Sequence, residues 1–191
     1  MPDQRADPPT AEVRPQPWLA LLAAGVLVIP LGSIYAFSVF LKPLETLLGA
    51  KRADLASVFA IAAISYTIGM NIGPRYFTRA GIGLFLAFCT LLSAGGIAIS
   101  AVAHGFLELA FGYGVLFGLG GGASYIVAQQ GVNMLVTRNR GLVNGYVVAL
   151  YPVGAMVAAP LFGWGNNTFG YRHTMAALAI VLLVSGVAAI L

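Results

Sequence analysis

Residues 31–40 read LGSIYAFSVF, and they lie inside an apolar run from Trp18 to Lys42–Pro43. The two serines and the tyrosine could hydrogen-bond a solute or a neighbouring helix. In a segment that only anchors a chain in lipid they would serve nothing, because each hydroxyl needs a partner away from water. At about 100° per helical residue, Tyr35, Ser38 and Lys42 fall on one stripe, with Ser33 turned away beside Phe37 and Phe40. Two later runs carry similar stripes. Tyr125 and Gln129 align with Gly114, Gly118 and Gly121 and drift toward Asn133, while Asn144 shares a face with Tyr151, where Pro152 predicts a kink. For any one of these residues alone, an interhelical hydrogen bond is a sufficient account. The three stripes together point to a shared cavity lined by neutral donors and acceptors.

Charge chemistry is missing from the same runs. Asp54, Glu108 and Arg172 fall at the ends of apolar stretches, so no intramembrane proton carrier is evident. There is no HExxH, no pair of intramembrane carboxylates, and no Ser/His pair within one span. His104 and His173 lie in separate connections. Enzymatic activity, a bound metal and a cofactor are therefore not expected.

The elements that carry the stripes are membrane helices. The chain has 191 residues, 59% of them hydrophobic and 8% charged, with a mean hydropathy of +0.89. A soluble domain carries roughly a quarter charged residues. The net charge of +4 comes from basic residues scattered between apolar stretches, which argues against nucleic-acid binding. Cys89, the single cysteine, reads as a small buried hydrophobe. At roughly 20 residues per crossing, six spans are predicted over 18–41, 54–73, 82–103, 107–135, 141–164 and 171–191. The first is too long for a signal-peptide core and is read as retained. Residues 1–17, polar and rich in proline, are expected to be a disordered cytoplasmic tail ahead of one bundle over 18–191.

Basic residues give the orientation. An N-terminus in the cytoplasm puts Arg5, Arg14, Arg75, Arg79, Arg138 and Arg140 inside and Lys42, Lys51, Arg52 and Arg172 outside. The excess inside favours a multi-pass protein of the cell (inner) membrane with its N-terminus cytoplasmic.

Short motifs recur. GSIY at 32–35 returns as GASY at 122–125, and YTIG at 66–69 returns as YPVG at 151–154, offsets of 90 and 85 residues. Each offset is close to three helices, and an odd number of spans inverts the second copy. The expectation is an all-α fold with a 3+3 inverted repeat, which two four-residue matches do not establish by themselves. Of the 24 glycines, six lie in FGYGVLFGLGGGASY, at small-xxx-small spacings that suit tight packing inside one bundle.

Against that background, GSIYAFSVFLKPLETLLGAKRADLASVF (32–59) resembles the first span and following loop of the major facilitator superfamily. More narrowly, it is similar to the oxalate/formate antiporter and monocarboxylate transporter branch. YGVLFGLGGGASY (113–125), RNRGLVNGYVVALYPVGAMV (138–157) and GYRHTM (170–175) resemble the fourth span, the fifth span and the start of the sixth in the same branch. The resemblance implies a secondary active transporter, as an N-terminal half or truncated form, moving a small monocarboxylate or dicarboxylate by alternating access. Tyr35, Ser38, Tyr125, Gln129, Asn144 and Tyr151 would line the cavity, with Lys42 near its outer mouth. Two departures stand out. The family's loop between spans two and three reads like GxxxDRxG; here GPRYFTRAGIG keeps only Gly73, Arg79 and Gly81, without the aspartate. Family members carry twelve spans, so a second six-helix half is expected, in the same polypeptide or as a second copy. The alternative is a non-transporting six-helix module with an assembly or regulatory role.

Overall fold

A computed structural model describes residues 17–136 and 139–190, and among them all regular structure is helical. Of the tail expected over 1–17, residues 1–16 lie outside the described residues, as does Arg138, while Pro17 already begins the first helix. Six helices are long and apolar enough to cross a membrane: α1 Trp18–Leu48, α2 Arg52–Ala80, α3 Ile82–Val102, α4 Phe106–Leu135, α5 Arg140–Thr168 and α6 Tyr171–Ile190. Several run past the hydropathy bounds. Leu41–Leu48 extends α1 as an amphipathic turn pair that buries Leu44. It stops at Gly49, whose left-handed φ of 60° costs a glycine nothing. Gly81 likewise breaks the chain between α2 and α3 with φ 80°.

Two helices depart from α geometry. In α1 the turns tighten to a 3-10 helix over Gly32–Phe40, just after Pro30, which has no N–H for the preceding turn. In α4 the turns widen to a π-helix over Ala110–Phe117, where Gly112 meets the backbone of Gly96 in α3.

The repeat has a structural cause in the glycines. The extensive helix pairings α1 with α5 and α4 with α2 are equivalent under exchange of the two three-helix halves. At the first crossing a Cβ on Gly32 would collide with the Tyr151 carbonyl oxygen, and one on Gly154 with the Ile29 carbonyl oxygen. At the second, Gly122 meets the Tyr66 carbonyl oxygen and Gly69 that of Leu119. Adding 90 carries Gly32 to Gly122 and Ile29 to Leu119; subtracting 85 carries Tyr151 to Tyr66 and Gly154 to Gly69. The recurring motifs are thus two copies of one reciprocal backbone contact, which only a residue without a side chain permits.

The remaining pairings close the bundle. α3 packs on α6, with Gly186 against Thr90, and also on α4. Hydroxyls in α3 are satisfied locally: Thr90, Ser93 and Ser100 donate to the carbonyls of Leu86, Cys89 and Gly96 at 2.8–2.9 Å. Longer ties come from Tyr113 Oη to the Ile34 carbonyl (3.3 Å) and Tyr171 Oη to the Ser100 carbonyl (3.0 Å). Large apolar side chains such as Leu84, Phe88, Leu91, Ile180 and Val184 stay exposed on α3 and α6, as a surface facing acyl chains requires.

Candidate functional site

The two glycine crossings carry a tyrosine each on both partners, and the four rings meet. Tyr151 in α5 stands at the centre, with ring centroids 5.3 Å from Tyr35, 5.5 Å from Tyr66 and 5.3 Å from Tyr125. Tyr66 and Tyr125 are 6.2 Å apart. Two of these four contacts are edge-on, an arrangement aromatic quadrupoles favour. Tyr35 is the outermost, 59% exposed, whereas Tyr125 and Tyr151 are buried.

The rings wall a cavity of about 350 Å³, completed by Ile34, Phe59, Thr67, Met70 and Val148 among others. Its volume suits a small solute. The cavity holds no charged side chain. Its distinctive groups are the hydroxyls of Tyr66 and Tyr151, which are buried and have no hydrogen-bond partner. The two hydroxyls interact with each other, side chain to side chain, although neither makes a hydrogen bond of full geometry. A buried polar group left unpaired costs roughly 1–3 kcal/mol, so an occupant that accepts two hydrogen bonds would recover energy the empty bundle lacks.

The sequence-derived residues divide into three places. Tyr35, Tyr125 and Tyr151 come together at the cavity. Ser38 is exposed beside a smaller pocket of about 210 Å³, which Tyr35, Leu41, Ala56 and Phe59 also line. Gln129 and Asn144 engage each other: Gln129 Nε2 donates to Asn144 Oδ1 at 3.4 Å, and Asn133 Nδ2 donates to the same oxygen at 2.8 Å. This amide cluster ties α4 to α5 apart from the tyrosine cavity. Lys42 is exposed and lines a third, larger space near Arg172. Of the loop residues, Gly73 packs against Ile126 and Ala123 and Gly81 supplies the left-handed turn, so both have a packing or backbone role. The Arg79 side chain lies outside the described residues.

Tyr66 escaped the sequence reading. The polar stripes run along the first, fourth and fifth spans, while Tyr66 lies on the second. The available signal was the YTIG/YPVG repeat, which makes Tyr66 the counterpart of Tyr151.

Comparison with known proteins agrees with this architecture. The sequence model of the Major Facilitator Superfamily matches residues 9–191. An uncharacterized MFS-type transporter of Escherichia coli, YhjX, is 23% identical over 88% of this chain and 43% of its own length. Monocarboxylate transporter 2 of Mesocricetus auratus is 25% identical over 98% of this chain and 40% of its own. Monocarboxylate transporter 13 of Rattus norvegicus is 22% identical over 88% and 40%. The chain spans less than half the length of each of these relatives.

Proposed function

The chain belongs to the Major Facilitator Superfamily, and from that premise we propose that its six helices form one wall of a carboxylate transporter working by alternating access. The observation that carries this reading is the pair of Tyr66 and Tyr151 residues lining the tyrosine cavity, whose buried hydroxyls have at most each other as partner. Phenol hydroxyls donate well to a carboxylate, and they bind without the deep well that a fixed charge would create, so the solute can leave. The monocarboxylate transporters among the relatives support the same solute class. The positive charge that would neutralise the anion comes from a second six-helix half, in the same polypeptide or as a second copy. Rocking of the two bundles then exposes the tyrosines to each side of the membrane in turn.

This reading requires Tyr35 to face water and solute. Tyr35→Cys in a Cys89→Ser background should react with a membrane-impermeant polar thiol reagent, and lactate or oxalate should slow the reaction several-fold in the complete transporter. A thiol at 35 that stays unreactive would instead favour a dry, non-transporting module.

The orientation is part of the proposal. The N-terminus and the α2–α3 turn at Gly81 face the cytoplasm, and Lys42, Lys51, Arg52 and Arg172 face outward. A phosphatase reporter, active only outside the cytoplasm, should be silent when fused after Gly81 and active when fused after Gly49. The reverse pattern would invert the bundle.

A further inference from the structure

Two cavities that the tyrosine site does not use lie end to end between α1, α5 and α6. One, of about 430 Å³, is walled mostly by aliphatic and aromatic side chains. It follows α5 from Gly154 to Gly165. Eleven residues (165 − 154) rise about 16 Å at 1.5 Å each, which is roughly half of a 30 Å hydrocarbon core, or one leaflet. Toward its inner end lies the Ser33 hydroxyl, buried and unpartnered. The other cavity, of about 770 Å³, continues from it at the α5–α6 turn, and the two share Phe169 and His173.

The second cavity adds basic and polar groups to an apolar lining. Lys42, Arg172 and His173 line it with Thr46, Asn166 and Asn167, and no carboxylate does. The described ion pairs are Arg52–Glu45 and His104–Glu108, so neither Lys42 nor Arg172 meets an acidic partner among the described residues. In the larger cavity the Asn166 side chain has both its nitrogen and its oxygen buried without a partner. Trp164, 62% exposed, stands beside the junction, where indoles anchor at the level of lipid headgroups.

We propose that this pair of cavities is a binding site for an anionic phospholipid of the leaflet on the α5–α6 side. An apolar slot one leaflet deep, opening onto a basic mouth, matches an acyl chain joined to a phosphate. The chain fills the slot, the Asn166 amide meets the ester region, and Lys42 and Arg172 hold the phosphate. A zwitterionic lipid would bring a cation into a mouth that has no carboxylate to receive it. The site stands whether or not the chain transports carboxylates.

The test uses fluorescence of the purified chain in vesicles. The chain has two tryptophans, so Trp18→Phe leaves Trp164 as the sole reporter. Phosphatidylcholine vesicles receive equal minor fractions of chain-brominated phosphatidylglycerol or chain-brominated phosphatidylcholine. The phosphatidylglycerol should quench Trp164 several-fold more efficiently. Lys42→Gln with Arg172→Gln should reduce its quenching to the phosphatidylcholine level. Ala177→Phe, at an exposed position lining the slot, should lower quenching by both lipids. Equal quenching by the two lipids in the parent chain overturns the proposal, as does a preference that survives loss of both cations. Abolition of the preference by inorganic phosphate at constant ionic strength also overturns it, and assigns the mouth to a soluble anion.

Discussion

Gly122→Leu and Gly154→Leu should each prevent the bundle from closing, whereas a side chain added at Gly145 should leave it intact. At Gly122 the first added carbon falls on the carbonyl oxygen of Tyr66, and at Gly154 on that of Ile29. Both obstacles are helix backbone, which cannot rotate away as a side chain does. The helices must separate, and the loss spreads along the whole crossing. Overpacking a core costs about 1–3 kcal/mol when neighbouring side chains can adjust, and here a rigid backbone puts the expected loss at or above the top of that range. At Gly145 nothing lies within 4 Å of an added Cβ. Alanine there should stabilise the helix by roughly 0.5–1 kcal/mol. Cys89 is buried and is the single cysteine, so its reaction with a fluorogenic maleimide on heating reports unfolding directly. The crossing variants should expose the thiol well below the parent's midpoint, and Gly145→Ala at or above it. Equal midpoints for Gly122→Leu and Gly145→Ala would refute the account of the repeat.

The fold was largely legible because bilayer thickness and backbone hydrogen bonding leave few alternatives for long apolar runs. Six spans follow from composition and length alone. Their ends do not, since hydropathy falls before the helix stops: Leu41–Leu48 is amphipathic, with Leu44 buried and Lys42 exposed, and it ends where Gly49 turns left-handed. The two departures from α geometry were also hidden. A 3-10 helix over Gly32–Phe40 and a π-helix over Ala110–Phe117 arise from tertiary approach at glycines and from Pro30, and local propensity gives no sign of them.

The site was legible in its helices and faces but not in its depth. Periodicity assigns a residue to a face; it says nothing of height in the membrane or of which partner reaches it first. Tyr35 and Ser38 stand exposed while Ser33, Phe37 and Phe40 are buried, a division that 3-10 winding keeps because residues i and i+3 eclipse. Gln129 and Asn144 lie on inward faces too, yet they satisfy one another across α4 and α5. Tyr66 required the internal repeat. Its ring reaches the centre because the Gly122 contact fixes its own backbone there.

Removing the Tyr66 and Tyr151 hydroxyls should move stability and solute binding in opposite directions. In the empty bundle both oxygens are buried and neither makes a hydrogen bond of full geometry. Phenylalanine keeps each ring, with its 5.5 Å contact to the other, and deletes only the unsatisfied atom. The fold should gain up to about 1–3 kcal/mol per site, the usual cost of a buried orphan. A carboxylate in the cavity loses one donor with each substitution. A hydrogen bond to a charged acceptor is worth roughly 1.5–3 kcal/mol, which corresponds to about a tenfold or greater weakening per site. Two measurements separate this from a structural role: the midpoint of Cys89 exposure on heating of this chain, and the concentration dependence of lactate and oxalate uptake into liposomes by the complete transporter. Tyr66→Phe and Tyr151→Phe should raise the midpoint and raise the half-saturating concentration together. If the hydroxyls merely brace the bundle through each other, both variants lower the midpoint and leave half-saturation unchanged, and the binding role is refuted.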